Sequence, residues 1–124
     1  MKRIVIALLC AAVCLVTAAG PKSKTVVVNT TKSGKAVMGF AGTTPVEITV
    51  TDSKVEKVVA LPNKETPEYF QKVLDSPIFT KLLGKTVQEA SQVQLDAVSG
   101  ATFSSKAVIE NINIGLKEAA KKVK

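Results

Sequence analysis

The 124-residue chain contains no histidine and no tryptophan, and it contains only two cysteines. Without histidine, a Ser-His-Asp or Cys-His relay and a histidine-ligated zinc or haem site are excluded. Two cysteines are too few for a four-thiolate metal site. No side chain in this inventory titrates near neutral pH in its unperturbed state. Any redox or group-transfer chemistry of this chain therefore requires a cofactor.

The N-terminal segment has the three-part pattern of a secretory signal peptide. Lys2 and Arg3 provide a positive start, residues 4–16 are uncharged and almost wholly apolar, and small side chains follow at 17–20. A membrane-spanning helix needs about 20 apolar residues, and this run is too short for one. The pattern predicts a signal peptide over residues 1–19.

Cleavage near Ala18 or Ala19 leaves residues 20–124 as one mature domain outside the cytoplasm, either periplasmic or secreted. The domain keeps 15 basic and 10 acidic residues, which is a net charge of about +5. Because the mature protein is predicted to be exported, nucleic acid is not the expected partner of this positive charge.

Both cysteines, Cys10 and Cys14, lie inside the predicted signal peptide. The mature chain then has no disulfide framework. A lipid anchor would require a cysteine after small residues, and the bulky Leu9 and Val13 that precede the two cysteines do not favour one.

The first half of the mature chain has the pattern of an antiparallel sheet. A β-branched run at 25–29 predicts a first strand, and the apolar-polar alternation at 46–51 predicts a second. A turn at 52–54 leads to a third strand at 55–61, which makes a hairpin. Between the first two strands, Val37–Gly42 is apolar but broken by two glycines. We expect Met38, within this run, in the core.

The second half is predicted to be mostly helical. Thr66 and Pro67 are typical of the cap and first position of a helix, and shorter helical stretches follow at 78–83 and 87–91. The alternation at 93–98 predicts a strand. A long amphipathic helix, capped by Ser104 or Ser105, then presents one apolar face, made of Val108, Ile112, Gly115, Leu116, Ala119 and Val123. The predicted class is α+β, an antiparallel sheet with packed helices.

The turn before the last helix is rich in small and hydroxyl-bearing residues. Seven of the ten residues from Asp96 to Ser105 are Ser, Thr, Gly or Ala. Small residues let a ligand approach the backbone closely, and free N–H groups at a helix start favour a phosphate. We expect those N–H groups around Ser104, Ser105 and Lys106, with hydroxyls of Ser99 and Thr102 as further donors. An ordinary capped loop is the alternative.

This turn resembles the signature of a small FMN-binding domain, the kind also found in flavin-carrying subunits of sodium-pumping quinone reductases. The signature is an Asp, two spacers, Ser/Thr-Gly-Ala-Thr, one residue and then Ser or Thr, and residues 96–104 follow it without departure. Residues 39–42 are similar to the glycine-aromatic-x-glycine segment of the family, and residues 65–67 are similar to its Glu-Thr-Pro turn. The three segments span most of the mature domain.

The resemblance implies that FMN is joined to Thr102 through a phosphoester bond. A flavin transferase makes this bond in the family, taking FMN from FAD with magnesium. Asp96 belongs to what the transferase recognises there, and a turn-forming Asp is the alternative role. Lys106 and the positive helix end would hold the attached phosphate. The implied cofactor-binding set is Thr102, Ser99, Gly100, Ala101, Phe103, Ser104, Ser105, Asp96, Glu65 and Thr66.

Within this set the role of Phe103 has two interpretations. As the neighbour of the attachment residue it is the aromatic residue expected to touch the flavin, and the alternative is a core anchor for the last helix. By analogy with the family, Glu65 and Thr66 are expected to flank the flavin ring.

The predicted function is that of an exported electron carrier rather than an enzyme. Its expected partners are the FAD-dependent transferase and redox donor and acceptor proteins, membrane-bound ones included. One alternative is a noncovalent flavin-binding or sensing domain. The other is a secreted basic interaction module without a cofactor.

Overall fold

The computed structural model describes residues 24–123, so the predicted signal peptide lies outside the described residues. Three strands form an antiparallel sheet in the order β1-β2-β3, and helices follow in the chain, which confirms the α+β class. The elements are β1 (Thr25–Asn29), β2 (Val46–Thr51), β3 (Lys54–Ala60), α1 (Pro67–Leu74), a 3₁₀ helix (Pro77–Phe79), α2 (Val87–Gln92) and α3 (Thr102–Lys122).

The β2–β3 hairpin closes through a two-residue turn at Asp52 and Ser53. Both residues have positive φ, at 51° and 69°, which is the conformation of a type I′ turn. The Asp52 side chain accepts a hydrogen bond from the Lys24 N–H at 3.0 Å. This turn is shorter than the sequence predicts, so β3 begins at Lys54 rather than at residue 55.

The core lies between the sheet and helix α3. Alternate residues of β2 are buried, and the predicted apolar face of α3 is buried against the sheet, with Val123 at its end only partly buried. Helix and sheet approach each other closely at Gly115, where a Cβ atom would lie 2.7 Å from Cδ1 of Ile48. Because this position has no room for a side chain, the last helix can rest directly on the central strand.

A buried polar network fixes helix α3 to the segments that flank the loop before β2. Asn111 accepts a hydrogen bond from Thr30 Oγ1 at 2.9 Å and donates through Nδ2 to Thr44 Oγ1 at 3.3 Å. All three side chains are fully buried. Since each polar group has a partner, the network avoids the penalty of an unsatisfied buried group.

The predicted strand at 93–98 is wrong. Val93, Leu95 and Val98 are partly buried against the core, but the segment belongs to no strand. The apolar-polar alternation correctly indicates which side chains face the core. The backbone forms no strand because it pairs with no neighbouring strand. The core position expected for Met38 is also wrong, because this side chain is 61% exposed. The loop around it is held through its backbone rather than its side chains, as described below.

Candidate functional site

The Ser-Gly-Ala-Thr segment forms a tight turn that leads directly into helix α3. The Ala101 N–H donates to the Val98 carbonyl at 2.9 Å, and Gly100 has a φ of +85°. A positive φ at the third position of a turn is the reason that glycine is favoured there. The turn therefore depends on Gly100 for its shape.

The N-cap of helix α3 lies three or four residues before the serine caps that the sequence predicts. Its N-cap is Ala101, without a side-chain hydrogen bond, and the Ser105 N–H makes the first helical bond to the Ala101 carbonyl at 2.9 Å. The N–H groups that precede this bond belong to Thr102, Phe103 and Ser104. The expected capping by Ser104 or Ser105 is thus wrong, and the anion-favouring end of the helix lies at Thr102.

Ser104 and Ser105 have other partners, which explains why neither caps the helix. Ser105 Oγ accepts from the Val98 N–H at 2.8 Å and donates to the Thr102 carbonyl at 3.1 Å, so it fastens the turn to the helix. Ser104 Oγ donates to the Glu65 carboxylate. Both serines are buried.

A cleft with a volume of about 340 Å³ lies beside this helix start. Its size falls in the range of small-molecule sites. It brings together six of the predicted site residues with two aromatic residues outside the predicted set, Phe40 and Tyr69. The lining residues are Phe40, Thr66, Tyr69, Gly100, Ala101, Thr102, Phe103 and Ser104.

Three of the five aromatic side chains of the protein stand exposed on this cleft. Phe40 is 70% exposed, Phe103 is 66% exposed and Tyr69 is 49% exposed, whereas Phe70 and Phe79 are buried. Phe103 therefore does not anchor the core, and that alternative is wrong. Clustered exposed aromatic surface marks a binding site rather than a packing element.

The Glu65 carboxylate is buried behind the cleft and organises the loop that carries Phe40. It accepts hydrogen bonds from the N–H groups of Phe40 at 2.7 Å, Ala41 at 2.5 Å and Gly42 at 3.0 Å, besides the Ser104 hydroxyl. Burial raises the pKa of the Glu65 carboxyl, but these hydrogen bonds outweigh burial and hold the pKa below its usual value. Glu65 is therefore a carboxylate at neutral pH.

The start of helix α1 also lines the cleft, through Thr66 and Tyr69. Thr66 is its N-cap, as predicted, although its side chain makes no capping bond. Lys72, which the sequence reasoning missed, places its Nζ atom 2.9 Å from the position that a Cβ of Gly100 would occupy. The Lys72 ammonium also lies 5.9 Å from the centroid of the Tyr69 ring. Tyr69 and Lys72 are three residues apart on helix α1 and therefore lie on the same face. This spacing is the sequence feature from which the pair could be predicted.

Lys106 does not hold the position that the sequence predicts for it. It lines a separate groove together with Asp96, because the earlier helix start places it one turn further along α3. Asp96 and Ser99 are exposed and do not line the aromatic cleft. Lys72, rather than Lys106, is the lysine beside the Ser-Gly-Ala-Thr turn.

Within residues 24–123, no group of acidic, cysteine or histidine side chains is arranged to hold a metal ion. Over the same residues, no helix combines the length and the apolar character needed to cross a membrane.

Comparison with known proteins gave one finding. A family model described as an FMN-binding domain matches residues 39–117. This stretch runs from the loop that carries Phe40 into the last helix, and it includes every residue that lines the cleft. The searches of curated proteins and of solved structures gave no match.

Proposed function

The chain belongs to the family of FMN-binding domains, and from this premise we propose that it is an exported electron carrier with FMN attached to Thr102. The observation that carries the proposal is the position of Thr102. It is exposed, it is the first residue of a long helix, and it lies on a cleft walled by exposed aromatic side chains.

The groups on and beside the cleft suit both parts of FMN. The helix start, the Gly100 turn and the Lys72 ammonium offer N–H donors and positive charge, which suit a phosphate. Phe40, Phe103 and Tyr69 offer apolar surface, which suits a flat ring system. When bound, FMN supplies reversible electron uptake and release, and the protein contributes position and electrostatics.

In the bond-forming step of covalent attachment, this chain contributes one reacting group, the Thr102 hydroxyl. Its oxygen forms a bond to the phosphorus of the FMN half of FAD, the pyrophosphate bond breaks, and AMP leaves. The hydroxyl proton passes to a base on the transferase, and magnesium bound by the transferase neutralises the charge on the phosphates. This division of roles is consistent with a chain that has no histidine.

An exported protein benefits physically from a covalent bond to its flavin. A dissociable flavin that leaves an exported protein would diffuse away, whereas a tethered flavin is retained even where its noncovalent affinity is weak. We propose cleavage of the signal peptide near Ala18 or Ala19 and exchange of electrons with redox proteins at or near the membrane.

The proposal is tested by producing the chain together with a flavin transferase and denaturing the product. The flavin should stay with the precipitated wild-type protein, and its intact mass should equal that of the chain plus FMN minus water. Thr102→Ala should lose the attached flavin, whereas Thr102→Ser, which keeps a hydroxyl, should retain some of it. Flavin released into the supernatant from wild-type protein would contradict attachment and favour a noncovalent flavin-binding domain.

Export is tested separately, by intact mass of the protein isolated from its native host. A mass that corresponds to a chain starting near residue 20 supports cleavage. A mass that includes residues 1–19 contradicts it.

A further inference from the structure

We propose that Glu65 is a positioning residue, which holds Phe40 at the flavin cleft without contacting the flavin itself. The proposal rests on FMN binding at this cleft, and it does not depend on covalent attachment to Thr102. It differs from the role expected by analogy with the family, in which Glu65 flanks the flavin ring.

The hydrogen bonds of the Glu65 carboxylate leave it no free acceptor site. Oε1 accepts from the Phe40 N–H and from Ser104 Oγ, and Oε2 accepts from the N–H groups of Ala41 and Gly42. A carboxylate offers about four lone-pair sites, so these four donors use all of them. The side chain is only 5% exposed. A flavin in the cleft therefore has no open oxygen of Glu65 to bind.

Phe40 is held through its backbone, because its own side chain is not packed into the core. The ring is 70% exposed, and the loop closes through a bond from the Gly39 N–H to the Gly42 carbonyl at 2.7 Å. A Cβ atom on Gly39 would lie 2.4 Å from Glu65 Oε1. The loop thus wraps closely around the carboxylate, and the position of Phe40 follows from that wrapping.

The same carboxylate connects the loop to the helix that carries the attachment residue. Ser104, its fourth donor, follows Phe103 directly in helix α3. Because one group binds both segments, it sets the separation between the Phe40 and Phe103 rings, whose centroids are 6.4 Å apart. Glu65 acts on the flavin site through this spacing.

A double-mutant cycle tests the proposal on the full mature chain, with four proteins: wild type, Glu65→Gln, Phe40→Ala and the double variant. FMN is titrated into each flavin-free protein, and affinity and the visible circular dichroism of the bound flavin are measured. We expect Glu65→Gln and Phe40→Ala each to weaken FMN binding by about 3- to 10-fold, the worth of one aromatic contact. The double variant should bind no more weakly than Phe40→Ala alone.

If Glu65→Gln weakens binding by the same factor in the presence and absence of the Phe40 ring, the proposal is overturned, because Glu65 then acts independently of Phe40. Glu68→Gln is the matched control, since it removes one negative charge from the exposed first turn of α1. It should leave FMN binding unchanged, and a loss equal to that of Glu65→Gln would also overturn the proposal.

A second variant and a second measurement keep the test decisive if Glu65→Gln does not fold. Ser104→Ala removes one donor and leaves the three loop amides bound, and its effect on FMN binding should disappear in the Phe40→Ala background. Amide hydrogen exchange of residues 40–42 should become faster in Ser104→Ala without any flavin present, because the carboxylate that these amides bind is no longer held from helix α3. Unchanged exchange, or an effect that persists without the Phe40 ring, would contradict the positioning role. Release of flavin on denaturation bears only on attachment at Thr102, so the two proposals fail separately.

Discussion

The rings of Phe40 and Phe103 form a tilted pair, with centroids 6.4 Å apart and planes inclined by 33°. One ring belongs to the loop before β2 and the other to the start of helix α3, and both are about two-thirds exposed. Their separation lies within the range of aromatic pairs. The pair forms one side of the cleft beside Thr102.

Phe103→Ala should change flavin binding but not stability, because the ring is exposed. We expect a change in the free energy of unfolding within about 0.5 kcal/mol and weaker FMN binding. Phe79→Ala is the matched control, since Phe79 is buried and its truncation should cost about 3–5 kcal/mol. Denaturant titration checks both. Equal destabilisation by the two variants would restore the core-anchor interpretation of Phe103.

Gly100→Ala should impair the flavin site beyond its cost in stability. The φ of +85° strains any side chain there, by about 1–2 kcal/mol, and the added Cβ would displace Lys72 Nζ. Flavin attachment by the transferase should therefore fall. Gly84→Ala controls for strain, because Gly84 has a similar φ of +81° and no atom within 4 Å of the added Cβ. Equal attachment in both variants would mean that the Gly100 turn has no part in the site.

Lys72→Gln should weaken the binding of FMN by about 2- to 5-fold, which is the worth of an exposed charge pair. The binding of riboflavin, which lacks the phosphate, should not change, and the difference should shrink at high salt. Lys106→Gln is the matched control and should have no effect, because Lys106 lines a different groove. Fluorescence titration measures both ligands. A larger effect from Lys106→Gln would reinstate the lysine predicted from the sequence.

Glu65 should make stability dependent on pH in the acid range. Its pKa is lowered in the folded protein, so its contribution is present above the pKa of the unfolded chain and is lost as pH falls through the folded pKa. The stability difference between wild type and Glu65→Gln should therefore shrink as pH falls from 7 to about 3. Glu89, whose pKa is also lowered, is present in both proteins, so its contribution to the pH dependence drops out of the difference. A difference independent of pH would show that the charge of Glu65 is not what stabilises the loop.

Asn111→Ala should destabilise the fold by about 1–3 kcal/mol, because it removes the partner of the buried Thr44 hydroxyl and one of the hydrogen bonds of the buried Thr30 hydroxyl. Asn113→Ala, an exposed position on the same helix, should change stability by less than about 0.5 kcal/mol. Thermal and denaturant unfolding compare the two. Similar losses in both variants would assign the effect to the helix rather than to the buried network.

The sequence predicts an element most accurately where residues close together in the chain decide its ends. The hairpin around Asp52 and Ser53 and the start of α1 at Thr66-Pro67 were predicted within a residue or two, because turn and cap preferences act between near neighbours. The start of α3 was not, because its serines bind groups elsewhere in the fold, Ser104 at Glu65 and Ser105 at Val98. Competition from distant partners cannot be read from a local pattern.

The sequence by itself determined the α+β class, the need for a cofactor, the hydroxyl-rich turn at Thr102 and the resemblance that the family match bears out. All of these depend on residue types and on spacings along the chain. Only the tertiary structure decided which groups surround that turn. It places Phe40 and Tyr69 at the cleft and Lys72 beside the Gly100 turn. It also places Lys106 at another groove and the Glu65 carboxylate among the backbone amides of the Phe40 loop. These outcomes follow from packing between segments that are distant in sequence, and helical or strand periodicity carries no information about such contacts.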